Sequence, residues 1–251
     1  MKNIPVISFC NHKGGVGKTT SALNISRVFA SRGRKVLLID FDPNAHASLF
    51  FGAGGSKYDS GHFMQGKNHT ACRIKIMENL DLIPAGRELF QAEKIFPGIS
   101  GCIKPINRVR EYGQYDYIII DTPSTAGIII NTAIAVSDLI IIPSLPDFLS
   151  LQGVNLLLGA VQEIEKKLKK NSVYAILFVM TGKQDSQEED VLRWASEKLA
   201  SVKFRQNISN DPECRAAWAA GKTIFDFSAA AAGREYSVLA GEIAERTGQA
   251  L

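Results

Sequence analysis

The 251-residue sequence predicts an α/β fold, a doubly wound and mostly parallel sheet with helices on both faces. Three observations predict it. Short apolar runs alternate with stretches of helical period along the whole chain, the signature of successive βα units. Two of those runs, Tyr117-Ile118-Ile119-Ile120 and Leu139-Ile140-Ile141-Ile142, are continuously apolar, as strands covered on both sides by helices must be. The first run, Val6-Ile7-Ser8-Phe9, leads through a glycine-rich turn into a helical stretch. In open sheets of this kind ligands bind beyond the carboxyl ends of the strands.

Taken in order, strands are expected at about residues 6–10, 35–39, 80–83, 117–120, 139–142 and 173–180, with a weaker one at 202–204. Helices are expected at 18–32, 87–95, 104–112, 126–137, 150–170, 187–200 and 234–247. Residues 52–77 are the least regular stretch. Their glycines, Asn68 and mixed charge predict a long surface excursion, a solvated loop rather than a dedicated site. No repeat, long linker or low-complexity tract divides the chain, so residues 1–251 read as a single domain.

Composition narrows the class. A hydrophobic content of 45% with 22% charged residues is that of a soluble globular protein. No apolar run approaches the roughly 18 residues of a membrane span, and Met1-Lys2-Asn3 ahead of the first strand leaves no room for a signal peptide. Cys10, Cys72, Cys102 and Cys214 are scattered without a C-x-x-C pair, which fits buried thiols in a reducing compartment better than disulfides or zinc. The four histidines show no zinc-ligand spacing either. Net charge is +4, and the excess lies in residues 1–149, with 16 Lys+Arg against 12 Asp+Glu. Within residues 52–77, Lys57, Lys67, Arg73 and Lys75 face a single Asp59, a surplus that permits a polyanionic partner without demanding one. Lys166, Lys167, Lys169 and Lys170, with Glu163 and Glu165, read as the solvated face of a helix.

The chemistry is concentrated in Lys13-Gly14-Gly15-Val16-Gly17-Lys18-Thr19-Thr20. The ordinary phosphate loop, G-x-x-x-x-G-K-[ST], aligned on Gly17-Lys18-Thr19, puts His12 where its first glycine belongs, yet the physical parts are present. Gly14, Gly15 and Gly17 let the backbone wrap an anion with its N–H groups inward. Lys18 can reach β- and γ-phosphates, the Thr19 hydroxyl can ligate Mg²⁺, and the following helix adds its positive end. The bland alternative is a glycine-rich turn that holds no nucleotide. Two acidic strand ends follow. Asp40 and Asp42, two apart, project to one side of an extended chain, although Asp42-Pro43 would also suit a plain turn. Asp121 ends the apolar run 117–120, the arrangement in which a carboxylate holds Mg²⁺ through water.

Lys13 with the double glycine resembles the deviant Walker A motif, KGGxGK[ST], of the ParA/MinD group of P-loop NTPases. Asp40-Phe41-Asp42-Pro43 is similar to that family's second motif, with Asn44 for its Gln and Ala45-His46 for its Gly-Asn, and Asp121-Thr122-Pro123 to its switch segment. Further similarity runs through Asn131-Thr132-Ala133, Ser137–Pro143, Leu151-Gln152-Gly153, Gly221–Ile224 and Tyr236–Ile243. The resemblance implies an ATP-dependent homodimer in which Lys13 crosses to the partner's nucleotide. It implies that Asp42 orients the attacking water and that Asp40 supports the magnesium shell. Catalysis would then rest on Lys13, Lys18 and Asp42, and Mg²⁺ on Thr19, Asp40 and Asp121. At the adenine, Ile208-Ser209-Asn210-Asp211 stands where relatives have Ile-Pro-Arg-Asn, making Ser209 and Asp211 candidate contacts. His12 and His46 would be structural loop residues.

Within the group, the polar end Ala244–Leu251 lacks the basic amphipathic helix of the membrane-binding MinD branch, and no C-x-x-C marks a metal-cluster relative. No residues before the first strand supply the helix-turn-helix of repressor-type relatives. The resemblance therefore implies a ParA/Soj-type ATPase that is cytoplasmic and nucleoid-associated. It would bind DNA non-specifically and position a plasmid, chromosome or protein cargo, stimulated by a ParB-like activator or cargo adaptor. Arg215, Lys222 and Arg234 are the candidate DNA contacts near the C-terminus. The alternative is a regulatory or assembly ATPase of the same fold whose dimer binds protein only.

Overall fold

The computed structural model describes residues 4–96, 98–182, 185–227 and 230–249. Each parallel βα unit follows from the alternation above. The chain runs β1 (Val6–Phe9), α1 (Lys18–Ser31), β2 (Val36–Asp40), then three short helices, α2 (His46–Phe50), α3 (Ser60–Met64) and α4 (His69–Cys72). Next come β3 (Ile74–Met77), β4 (Leu80–Ile83), a 3-10 turn Arg87–Gln91 continuing into α5 (Ala92–Ile95), and α6 (Ile99–Tyr112). β5 (Tyr117–Asp121), α7 (Ile128–Val136), β6 (Leu139–Ser144), α8 (Phe148–Leu168), β7 (Val173–Thr181) and α9 (Ser186–Lys198) complete the alternation. The last elements are β8 (Ile208–Ser209), α10 (Pro212–Ala219), a 3-10 turn Ile224–Asp226 and α11 (Ala231–Arg246).

One eight-stranded sheet has the order β3-β4-β2-β5-β1-β6-β7-β8, parallel throughout except for β3. Successive strand residues point to opposite faces, so each strand feeds two cores. Val6, Leu37, Ile39, Ile118, Ile120, Ile140 and Ile142 pack under α6, α7 and α8, while Ile7, Phe9, Leu38, Ile119 and Ile141 pack under α1 and α11. Strand order reverses at β1, which lies between β5 and β6, so the crevice beyond its carboxyl end is the natural ligand site.

Three expectations are corrected. Residues 52–77 are not a solvated loop: they form α3, α4 and β3, and Phe63, Met64 and Cys72 are buried. Their apolar residues are too widely spaced to read as a periodic element, and burial against α6 supplies the order instead. Residues 202–204 make only a bridge from Lys203 to Ile176, and the eighth strand is Ile208–Ser209. Lys170 leaves the solvated face of α8. The helix ends at Lys169 in the left-handed conformation (φ 50°), and the turn brings Lys170 Nζ onto the carbonyls of Ala135 and Ser137. Among the described residues His62 lies within metal-ligand reach of Asp59 and Glu88, but Asp59 already caps α3 and bonds the His62 ring at 2.9 Å.

Candidate nucleotide-binding site

The loop 10–17 leaves the end of β1 and turns back through Gly15 (φ 74°) and Gly17 (φ 78°), both in the left-handed region that excludes most side chains. Gly17 caps α1 without any side-chain acceptor, so the first N–H groups of the helix, on Lys18, Thr19 and Thr20, have no side-chain cap. That is an anion cradle. Lys18 is only 7% exposed, with Nζ donating to the Lys13 carbonyl oxygen at 3.2 Å. Burial pushes its pKa down, and Asp121 and Asp42 pull it back up.

Register brings the carboxylates to the same crevice. Asp121 is opposite Phe9 on one side and Asp40 on the other, since β5 lies between β1 and β2. Asp121 is fully buried, and neither carboxylate oxygen has a hydrogen-bond partner. Its pKa is pushed well up by burial and then by Asp40 and Asp42, against the opposing effects of the Thr19 hydroxyl and Lys18. An orphaned buried carboxylate is costly, and a cation is what would satisfy it. With the Thr19 oxygen beside it, the donor set is all oxygen, which fits a hard divalent ion such as Mg²⁺.

Asp40 is differently employed. One oxygen accepts from the Asp42 N–H at 3.0 Å, and the other from the Ser48 N–H and hydroxyl at 2.8 and 2.7 Å. Burial pushes its pKa up to about 6 despite these bonds. Asp40 therefore anchors the loop 41–48, and Ser48 extends the anchor by accepting from the Ala85 N–H at 2.8 Å. Asp42 sits on that loop, 7% exposed, accepting from the Asn44 N–H and side-chain amide. His46 Nδ1 is 3.9 Å from the other Asp42 oxygen. In the phosphate loop, His12 has its Nδ1 buried without a partner, and burial lowers its pKa.

Lys13 lies folded back on its own chain. Its Nζ donates to the Ser150 hydroxyl at 2.6 Å and is 3.6 Å from Asp147, whose carboxylate caps α8. The Asp147 pKa is lowered: its bonds from Ser150 and the nearby lysine outweigh burial, which acts in the opposite direction.

Beside Gly17 and Thr20 opens a cavity of about 240 Å³, walled by Val179, Met180, Cys214 and Trp218 and bounded by Ser209 and Asp211. Both residues singled out from the sequence are therefore at the cavity, but their side chains are committed. Ser209 donates its N–H and hydroxyl to Glu235, and Asp211 caps α10 and accepts from the Ala232 N–H. Trp218, Met180 and Glu235 were not foreseen. The Asp211-Pro212 pair, an N-cap followed by proline, is the one local sign that a helix would line this wall.

Comparison with known proteins agrees with this geometry. The family profile described as an AAA domain matches residues 4–174. The chromosome-partitioning ATPase Soj of Treponema pallidum is 32% identical over 251 residues, covering 96% of this chain and 97% of that protein. The sporulation initiation inhibitor protein Soj of Bacillus subtilis is 30% identical, with 95% and 98% covered. An ATP complex of Cyanothece McdA superposes with a TM-score of 0.87 at 19% identity, over 100% of this chain and 99% of that one. A P-loop fold, a lysine-led phosphate loop and relatives at this similarity over nearly their whole length place the chain in the ParA/Soj-type partition ATPases of the deviant Walker A family.

Proposed function

We propose that this chain, one domain over residues 1–251, is a Mg²⁺-dependent ATPase that dimerises on ATP, binds DNA without sequence preference and positions or segregates a plasmid, chromosome or protein cargo. A ParB-like activator or cargo adaptor stimulates its hydrolysis, and it works in the cytoplasm on the nucleoid. The observation that carries the reading is the buried, unpartnered Asp121 carboxylate beside Lys18 and an uncapped helix N-terminus. The Treponema pallidum relative named as a chromosome-partitioning ATPase supports the cargo role, and no helix among the described residues is long and apolar enough to cross a membrane.

The residues divide the work as follows. N–H groups from Gly14 to Thr20, with Lys18, bind and orient the β- and γ-phosphates. Thr19 and Asp121 hold Mg²⁺, and Asp40 supports them by fixing the loop that carries Asp42. The ion supplies neutralisation of charge on the phosphate oxygens. Asp42 orients the attacking water, and Lys13 leaves Ser150 to reach the partner's nucleotide. Hydrolysis by positioning and charge stabilisation needs no covalent intermediate. The adenine occupies the cavity bounded by Ser209 and Asp211, whose side chains are already bonded to Glu235 and to the N–H groups of Glu213 and Ala232.

Gel retardation of random duplex with ATP, with ADP and without nucleotide tests the whole reading. ATP alone should give strong binding that weakens steeply with salt. An ATP-saturated protein that fails to retard DNA at low salt, or retards it equally in ADP, would leave the dimer that binds only protein as the function.

A further inference from the structure

We infer that Glu93 is a positioning residue for hydrolysis. Its carboxylate fixes the far end of the segment 122–127 that follows Asp121, and so sets the space between that segment and the Asp42 loop in which the attacking water is held. The inference rests on the ATPase reading above and deepens it, by adding a residue that lies outside the phosphate loop and the strand ends.

The segment is tied at both ends. At its start the Thr122 hydroxyl donates to the Phe9 carbonyl oxygen at 2.7 Å, which fixes it to the end of β1 just before the phosphate loop. At its other end stands α7, whose N-cap is Gly127 and offers no side chain to accept from the first turn. Glu93 of α5 supplies the acceptor instead, taking the Ile128 N–H from 35 positions away in sequence. Its negative charge also suits the positive end of the helix. The fit is close. Gly127 adopts φ 148°, and a Cβ there would run into the same Glu93 oxygen that accepts the bond. Only a glycine lets the carboxylate lie against the helix backbone at this point.

Between its ties the segment borders the reacting groups on two sides. Ser124 runs against the phosphate loop, its hydroxyl 3.9 Å from the place a Cβ on Gly14 would take. On the other side a cleft of about 270 Å³ separates residues 123–127 from Pro43 and Asn44, which directly follow Asp42. Glu93 and Leu89 line that cleft. The anchor itself is firm, because Leu89, Ala92 and Phe96 are buried in the core shared with α6 and α7. Releasing Glu93 therefore frees one wall of the cleft relative to Asp42 and leaves the phosphate loop, Lys18 and the start of α1 as they are. Groups that bind the phosphates are kept, and the group that places the water loses its opposite wall. Misplacing reacting atoms by about 1 Å can cost on the order of 10²-fold in rate.

Steady-state ATP hydrolysis by the full chain, with ATP affinity from calorimetry, tests this. Glu93→Ala should lower kcat by about 10- to 10²-fold while changing the Kd for ATP by less than about twofold. Glu93→Gln keeps the length and an acceptor oxygen, so it should retain kcat within about fivefold, the scale of losing one charge at a helix N-terminus. Glu93→Asp keeps the charge but falls one methylene short of Ile128, and should be as slow as Glu93→Ala. It also serves as the test if the alanine variant fails to fold. A purely structural role would lower the melting temperature without separating kcat from affinity or Gln from Asp. Wild type that neither binds nor hydrolyses ATP would remove the ATPase reading itself. With wild type active, an unchanged kcat in Glu93→Ala and Glu93→Asp would overturn the role of Glu93 alone. So would lost ATP affinity at constant kcat, or Glu93→Gln as slow as Glu93→Asp.

Discussion

Asp121→Asn should make the nucleotide-free protein more stable at neutral pH while removing the stabilisation it gains from Mg²⁺ and ATP. The carboxylate is fully buried with both oxygens unbonded. Leaving a buried polar group unsatisfied costs about 1–3 kcal/mol, and more if it is charged. Taking up a proton caps that cost. From the ordinary Asp value of about 3.9 to pH 7 the ceiling is roughly 4 kcal/mol, at about 1.4 kcal/mol per pH unit. The asparagine still buries two polar atoms, so the gain comes from the charge alone and should fall between about 1 and 4 kcal/mol. The sign follows from the direction of the shift. The folded-state pKa is raised, so the folded chain binds the proton more tightly, and the penalty is absent below the unfolded value and grows as pH rises above it. Thermal or urea unfolding in EDTA, at pH 7 and near pH 4, measures the difference. At about 2–4 °C per kcal/mol for a chain of this size, the pH 7 shift is several degrees upward. It should shrink towards zero at pH 4. An Asn variant no more stable than wild type in EDTA at pH 7 would refute the reasoning, because the carboxylate would then have a partner.

Three further outcomes are expected. Lys18→Ala should abolish measurable ATP binding by calorimetry, whereas Lys13→Ala should keep binding and lose ATP-dependent dimerisation on a sizing column. Asp42→Ala should accumulate an ATP-bound dimer and hydrolyse on the order of 10²-fold more slowly, the scale of a positioning or acid–base contribution. Retained turnover would move the water-orienting role elsewhere. Asp147→Asn keeps a competent cap on α8 but removes the charge beside Lys13, so it should dimerise at lower ATP, while Asp147→Ala should also lose about 1 kcal/mol of stability with the cap. Equal ATP dependence for wild type and Asp147→Asn would show that the Asp147 contact does not hold Lys13 back.

Local pattern carried what local physics decides. The six principal strands, the phosphate loop and the acidic ends of β2 and β5 were legible because apolar periodicity, glycine freedom and an aspartate after a buried strand are short-range signals. Parallel packing then put those strand ends at one crevice, as the alternation required. Tertiary structure decided the rest, because the deciding partners are far apart in sequence. Asp40 and Asp121 look alike as strand-end carboxylates, yet the Ser48 N–H and hydroxyl bond one, while the other makes no hydrogen bond and has only Lys18 and the Thr19 hydroxyl near it to offset its charge. Lys13 is held by Ser150, 137 positions away, and Ser209 is committed to Glu235, 26 positions away. Residues 52–77 have no periodicity of their own and are ordered by the surface of α6, which also brings Lys67 beside Arg108. Periodicity reports which face of a segment is buried. It carries no information about what that face meets, and that contact settles which charges are paired and which stay available to a ligand.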